Sequence, residues 1–211
     1  MVKTPKIPEP TIERLALYSR PLEALQKNGT PLILSGKLAE LCGVSPAQVR
    51  KDLAYFGEFG IRGVGYDVKA LLQEIKNILT TNREWSLCIV GMGNLGRALV
   101  ENENFTIRGY KFVAVFDSDP NQIGDTLPCG LTIEPAAKIR DLVRELSIEI
   151  GIVSTPPFEA QRVANLLIDS GIKAILNFAP TRIRTPENFP VDNVDFSVKF
   201  ENLVYHLGKL G

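Results

Sequence analysis

Leu87-Cys88-Ile89-Val90-Gly91-Met92-Gly93-Asn94-Leu95-Gly96-Arg97-Ala98-Leu99 is the stretch that decides the fold. An apolar run enters Gly-x-Gly-x-x-Gly and helix-forming residues follow at once, which reads as a strand, a tight glycine turn and a helix start. Gly91 lets the chain turn sharply, Gly93 lets a phosphate approach the backbone, and Gly96 lets the helix pack close to its strand. A pyrophosphate would rest on the open N–H groups at the positive end of that helix, with Met92, Asn94 and Leu95 completing the backbone of the turn. A glycine turn of this form also occurs in a purely structural role, so the flanking sequence has to decide.

Downstream the pattern alternates strand and helix. Residues 110–116 read as a strand, and Asp117 stands at its end, 21 residues after Gly96. A nucleotide-binding fold places there the acid that accepts hydrogen bonds from the adenosine ribose. Ser118-Asp119 follows with no adjacent Arg to receive a 2′-phosphate, which favours NAD⁺ and NADH over their phosphorylated forms. The same Asp117 also fits as the opener of the turn at Asp119-Pro120. Residues 136–146 read as a helix, 148–153 as a buried strand, 161–168 as a helix stopped by Ser170-Gly171, and 174–176 as a strand. These strands should end on one edge of a parallel sheet, where ligands bind. Thr155, Pro156, Asn177 and Phe178 are therefore candidates for the nicotinamide half, and buried turn chemistry is the competing reading for them. Ile123 and Pro180 complete the candidate cofactor set. Residues 186–192 read as irregular and 194–196 as short and extended. In the terminal helix, 198–210, Phe200, Leu203, Val204, Leu207 and Leu210 form an apolar stripe that must be buried, on this chain or on a second subunit.

The part before residue 80 has another character. Residues 1–10 read as a proline-rich arm, and Thr11 as the N-cap of a helix over 11–26. Pro21 inside that helix would cost about 3 kcal/mol uncompensated, so a kink or break is expected near Arg20. Ser35 reads as the cap of a short helix ended by Gly43. Ser45-Pro46-Ala47-Gln48 then combines an N-cap, a proline suited to the first helical position, and a capping box closed by Gln48. The two helices form a helix-turn-helix, the second running to about Phe56. Val49, Leu53 and Phe56 share its core face, while Lys51, Arg50, Gln48 and Tyr55 lie on the outer one with small residues beside them. That face offers cations for phosphates, and an amide and a phenol for base edges. Residues 59–66 read as a glycine-bent hairpin with Arg62 near its tip, suited to a minor groove. Asp67 caps a further helix over 68–79. The outline is a winged helix, an outline also found in modules that bind protein or only dimerise.

Residues 1–83 carry 12 Lys/Arg against 8 Asp/Glu, and residues 84–211 carry 12 against 16. The basic balance suits a polyanionic partner for the first part. No run approaches the roughly 20 apolar residues of a membrane helix, and no secretory leader is recognisable, so the expected location is the cytoplasm, without membrane association. Cys42, Cys88 and Cys129, with His206, make neither a metal pattern nor a disulfide framework. Cys88, within an apolar strand, reads as a small core residue.

Gln48-Val49-Arg50-Lys51-Asp52-Leu53-Ala54-Tyr55-Phe56-Gly57, followed by Arg62-Gly63-Val64-Gly65-Tyr66, resembles the DNA-binding signature of the bacterial redox-sensing transcriptional repressor family Rex. Val90–Gly96, Phe116-Asp117, Ile175-Leu176-Asn177-Phe178-Ala179-Pro180 and Val194-Asp195-Phe196 extend the resemblance over nearly the whole chain. It implies an α/β protein: a winged helix-turn-helix DNA-binding domain (1–79), a Rossmann-like NAD(H)-binding parallel-sheet domain (80–192), and a domain-swapped C-terminal helix (193–211) that makes a homodimer. It also implies a repressor of fermentative and respiratory genes that releases a pseudo-palindromic double-stranded operator when NADH binds, with NAD⁺ permitting or favouring binding. Catalytic residues and metal are not expected. Carried over by motif, Arg50, Lys51 and Tyr55 would meet the major groove and Arg62 the minor groove, with Ser45, Gln48, Gly63 and Gly65 completing the DNA-binding set. Gly91, Gly93, Gly96 and Asp117 would hold NAD(H), and Phe196 would approach the partner's nicotinamide pocket. Members of the family often carry a Tyr near the end of the helix that follows the glycines, where this chain has Glu101-Asn102-Glu103-Asn104-Phe105.

The neutral dihydronicotinamide ring costs less to desolvate than the cationic one, so NADH should favour a closed dimer. Closure would carry the recognition helices off successive major grooves, about 34 Å apart. Arg20 and Asp195 are expected to couple the domains. The rival from another class is an NAD-dependent dehydrogenase with an accessory N-terminal domain, which needs an acid–base group beside the nicotinamide. A third reading is a CoA- or nucleotide-binding regulator of similar fold.

Overall fold

The computed structural model describes residues 7–57, 59–61 and 63–209. The expectations for residues 1–6, Arg62 and Leu210 lie outside the described residues. Contacts divide the chain into two units, Met1–Arg83 and Glu84–Gly211.

In the first unit, helix α1 spans Glu9–Lys27 and begins before the expected cap, because Pro10 suits a first helical turn. Thr11 is therefore not the N-cap: it lies inside the helix, buried, and donates its hydroxyl to Asp52. Nor does Pro21 break α1. The proline leaves the Leu17 carbonyl without its helical donor, and the Cys42 thiol donates to that carbonyl at 3.8 Å. Helix α2 spans Ser35–Cys42 and ends at Gly43, whose φ of 66° terminates it in the left-handed region. Ser35 is its first helical residue rather than its cap, and its hydroxyl accepts from Arg50 at 3.1 Å. Helix α3 spans Pro46–Ala54, shorter than expected, with Ser45 as N-cap accepting from the Gln48 N–H at 3.1 Å. Gln48 leaves the capping box open, because its amide reaches forward one turn to Asp52 at 2.8 Å.

Strands β1 (Leu32–Ile33), β2 (Gly60–Ile61) and β3 (Gly65–Asp67) form an antiparallel sheet in the order β1-β3-β2. The expected hairpin is β2–β3, and β1 is an addition to it. Helix α4 (Val68–Ile78) is capped by Asp67, which accepts from the Ala70 N–H at 2.7 Å, a contact worth about 1 kcal/mol. Leu15, Tyr18 and Leu22 of α1 meet Leu71, Leu72 and Ile75 of α4 in the core, with Val49 and Leu53 of α3.

The second unit holds six parallel strands: β4 (Trp85–Val90), β5 (Tyr110–Asp117), β6 (Ile133–Pro135), β7 (Ile150–Val153), β8 (Ala174–Asn177) and β9 (Val191–Asn193). Their order is β6-β5-β4-β7-β8-β9, and every neighbouring pair is parallel. The chain winds outward from β4 through β5 and β6, then returns to β7 beside β4 and winds the other way. Successive residues of β4 serve opposite faces: Leu87 and Ile89 join one core layer, Cys88 and Val90 the other. Burial pushes the Cys88 thiol up to about 12, as befits a core residue. Helices α5 (Asn94–Val100), α6 (Glu103–Ile107), α7 (Ile139–Glu145) and α8 (Pro157–Ser170) complete the layers. A 3₁₀ turn at Ala136–Lys138 replaces the start of the helix expected over 136–146. Helix α8 is longer than the expected 161–168, since Pro157 opens it and Gly171 (φ 102°) closes it. Gly151 lets α8 approach β7: a Cβ there would stand 2.9 Å from Leu167 Cδ1.

Two expectations near the C-terminus are corrected. The segment read as irregular contains β9, which gains its order from pairing with β8 rather than from any pattern of its own. Phe196 is not extended but opens helix α9 (Phe196–Leu207), with Asp195 as N-cap accepting from the Ser197 N–H at 2.8 Å. The apolar stripe of α9 is not buried within the chain: Phe200, Leu203, Val204 and Leu207 are 66, 59, 65 and 65% exposed.

Candidate functional site

Where the winding reverses between β4 and β7, a crevice must open at the carboxyl ends of the strands. A cleft of about 350 Å³ occurs there, and Gly91, Gly93, Asp117, Thr155, Pro156 and Pro180 of the candidate set line it. The three glycines differ in what requires them. Gly91 has φ of 102°, and a Cβ would stand 2.6 Å from the Ser154 carbonyl oxygen. A Cβ on Gly96 would overlap the Gly91 carbonyl oxygen, so close packing of α5 on the turn demands glycine there too. Gly93 has an ordinary φ of −67°, and a Cβ on it meets nothing within 4 Å. The protein itself has no need of that glycine.

Asp117 reaches across to the turn. One carboxylate oxygen accepts from the Met92 N–H at 2.5 Å, and the other from the N–H groups of Ser118 and Asp119 at 2.7 and 2.9 Å. It is thus both the opener of its own turn and the acid at the strand end. Met92 contributes only this backbone group, since its side chain is fully buried in the core. Asn94 and Leu95 lie exposed on the first turn of α5. Ile123 is half-buried in the loop after β5 and is not part of the cleft lining.

The competing readings of the two later loops separate. Asn177 is buried with its amide spent locally: Nδ2 donates to the Ala179 and Thr181 carbonyls and to Asn193 Oδ1, and Oδ1 accepts from the Ala179 N–H. Turn chemistry accounts for it. Thr155 is the opposite case, for among the described residues its Oγ1 is the buried side-chain polar atom without a hydrogen-bond partner. An unmade bond of this kind costs about 1–3 kcal/mol, and its position in the cleft lining points to a ligand group that makes it. Phe178 is half-buried and stacks on Phe196 of the same chain, centroids 6.3 Å apart. The motif reading missed Ser154, which donates to the Gly91 carbonyl at 2.8 Å and so braces the turn, and the rim pair Arg162–Glu159 at 2.6 Å. Both belong to the β7–α8 junction, whose helix starts earlier than its apolar spacing suggests.

In the first unit, a groove of about 760 Å³ runs between α3 and the β2–β3 hairpin, lined by Arg50, Gly63 and Gly65 among others. Ser45, the N-cap of α3, and Lys51 on the helix are exposed, and Tyr55 is half-buried at its end. They are not part of the groove lining. Gln48 shares its amide with buried Asp52. Gly65 is required by the sheet, since a Cβ would stand 2.5 Å from the Ile33 carbonyl oxygen. Gly63 has open space around it, and its φ of 82° is what favours glycine at the turn. Arg20 is exposed on α1. Among the described residues, no cluster of His, Cys, Asp and Glu could hold a metal ion, and no helix is long and apolar enough to cross a membrane.

Two family models match the chain. Residues 6–54 fit one described as Putative DNA-binding protein N-terminus, and residues 82–181 one described as CoA binding domain. Over 206 residues the chain is 50% identical to the redox-sensing transcriptional repressor Rex of Syntrophobacter fumaroxidans, covering 98% of each. The chain belongs to the Rex family of redox-sensing transcriptional repressors. The crystal structure of RSP in complex with beta-NAD⁺ and operator DNA is similar with a TM-score of 0.91 and 33% identity, covering 96% of this chain and 93% of that one. That of RSP in complex with beta-NADH gives a TM-score of 0.86 and 32% identity over 97 and 95%. The Rex family is one of transcriptional repressors rather than enzymes, which sets the dehydrogenase reading aside.

Proposed function

We propose that this chain represses transcription by holding operator DNA with its first unit and releases it when NADH occupies the cleft of the second. The observation that carries the reading is that cleft, where among the described residues a Cβ on Gly93 meets nothing within 4 Å and the Thr155 hydroxyl has no partner. A dinucleotide supplies what both lack. Its pyrophosphate passes over Gly93 and a polar group of its nicotinamide half meets Thr155, with Pro156 and Pro180 as apolar walls. Asp117 takes the adenosine ribose hydroxyls. A 2′-phosphate would meet that carboxylate, and the cation Arg162 in the lining is already paired with Glu159. NAD⁺ and NADH are therefore the ligands, not NADP⁺ or NADPH.

Residues 1–79 form the DNA-reading domain, 80–192 the dinucleotide domain and 193–211 the dimerising helix. Arg50 and Lys51 engage phosphates and base edges, and Tyr55, Ser45 and Gly63 lie against the duplex. The exposed stripe of α9 is covered by a second copy of the chain, exchanged as a helix in a homodimer, and Phe196 then approaches the partner's cleft. Arg20 and Asp195 carry the coupling, and the protein works in the cytoplasm. His206, exposed on α9, offers the cleft no acid–base group. Isothermal titration tests the reading: NADH binds, NADPH binds at least tenfold more weakly, and Thr155→Val weakens NADH. Equal affinity for NADH and NADPH would contradict it.

A further inference from the structure

Helix α3 turns Arg50, Lys51 and Ala54 outward, yet the residue among them, Asp52, is wholly buried. Its carboxylate is the centre of one network. Oδ1 accepts from Thr11 at 3.2 Å, Arg14 at 2.8 Å and Gln48 at 2.8 Å, and Oδ2 from Arg14 at 2.6 Å and Tyr18 at 2.7 Å. Thr11, Arg14 and Tyr18 follow one stripe of α1, spaced three and four residues apart. Gln48 lies one turn before Asp52 on α3 itself. Three donors thus reach across from one helix to a single group on the other, two of them through side chains held in the core.

A buried ion pair contributes little net stability against apolar residues of the same volume, because both charges leave water. What it adds is geometry. Apolar contacts such as Val49 and Leu53 against α1 tolerate a slip or a small rotation, whereas hydrogen bonds converging on one carboxylate at 2.6–2.8 Å lose their alignment when the helix turns, and they weaken steeply as the donor angle falls toward about 120°. A bidentate Arg also fixes the plane of the carboxylate. Rotation of α3 about its own axis would swing Arg50, Lys51 and Tyr55 together, since they flank Asp52 on adjacent turns.

We propose that Asp52 is a positioning residue for DNA recognition: bound to Thr11, Arg14 and Tyr18 of α1, it sets the rotation and axial position at which α3 presents its outer face. The inference rests on the reading of α3 as the DNA-recognition helix. Phosphate contacts made by long cationic side chains adapt to a misplaced helix, and contacts to base edges do not. Loss of the clamp therefore lowers specific binding while sparing the sequence-independent part.

The test uses the full chain, wild type and the variants Asp52→Asn and Tyr18→Phe, with a duplex that the wild type enriches from a random-sequence pool and a scrambled duplex of equal length. Fluorescence anisotropy is recorded at several salt concentrations, beside circular dichroism melts. The expected result is a tenfold or greater loss of affinity for the enriched duplex in Asp52→Asn and about threefold in Tyr18→Phe. Affinity for the scrambled duplex and its salt slope should be unchanged in both. Should Asp52→Asn fail to fold, Tyr18→Phe, which keeps the ring in the core, decides alone. Equal losses on both duplexes, or none on either, overturn the proposal. A wild type that enriches no duplex overturns the DNA-reading function and this inference with it, and is told apart because it occurs without any substitution.

Discussion

Replacing Gly93 or Gly96 by Ala adds the same methyl group three residues apart, and the structure predicts opposite consequences. On Gly96 the methyl would overlap the Gly91 carbonyl oxygen and lie 3.3 Å from Ser154 Oγ, and the first of these neighbours is backbone that cannot swing aside. Helix α5 would have to lift from the turn. Overpacking of this kind costs about 1–3 kcal/mol, and the backbone clash puts it at the upper end. For a unit of this size that is a fall in Tm on the order of 10 °C. On Gly93 the methyl meets nothing within 4 Å, and the backbone is already in a region open to any residue. The gain from a less flexible unfolded chain roughly offsets the poorer N-cap, so stability should stay within about 1 kcal/mol of wild type. The methyl does, however, occupy the approach to the backbone. Losing a single charge-assisted hydrogen bond to a phosphate costs about 2 kcal/mol, or roughly thirtyfold in NADH affinity. Scanning calorimetry and NADH titration on both variants check this. A Gly93→Ala protein that melts as low as Gly96→Ala, or that binds NADH like wild type, would refute the division of roles between the two glycines.

Thr155→Val removes a hydroxyl that has no partner among the described residues, so without ligand the variant should be as stable as wild type or up to about 2 kcal/mol more so, while its NADH affinity falls. Differential scanning with and without NADH reads both. Burial alone would raise the Asp52 carboxyl, but hydrogen bonds from Arg14, Tyr18 and Gln48 outweigh it and hold the group at about 2, below its ordinary 3.8. A depressed folded value means the contribution, about 2 kcal/mol, is complete above pH 4 and is lost as pH falls through 2. Hydrogen exchange of α1 and α4 amides should show this loss in wild type and not in Asp52→Asn. Pro21→Ala restores a helical donor to the Leu17 carbonyl and should raise the stability of the first unit by about 1–3 kcal/mol, measured the same way. Leu203→Glu, on the exposed stripe of α9, should shift the sedimentation coefficient from dimer to monomer.

Much of the fold was legible because its signals are local. The strand, glycine turn and helix at residues 85–100, the cap at Ser45, the cap at Asp67 and the acid at Asp117 each need only a few neighbouring residues, and each stands where its spacing places it. Strands β1, β6 and β9 have two or three residues apiece, too few to carry an alternation, and exist only through their partners in the sheet. Thr11 shows the same limit in a single residue. Its type and position fit an N-cap, but its partner is 41 positions away on another helix, and no local pattern announces that. The candidate site divides likewise. Asn177 closes β8 and Thr155 follows the end of β7, with equal claims from sequence, and only the packing around them shows one spent on its own turn and the other without a partner among the described residues. Pro21 predicts a kink or break from sequence because the compensating donor, Cys42, lies on the next helix.

The central claim, that the dinucleotide is a signal rather than a substrate, is met most directly by an operator gel shift of the full chain titrated with NADH, NAD⁺ and NADPH. The shifted band should be lost with NADH and persist with NAD⁺ and NADPH. A band indifferent to all three would contradict it.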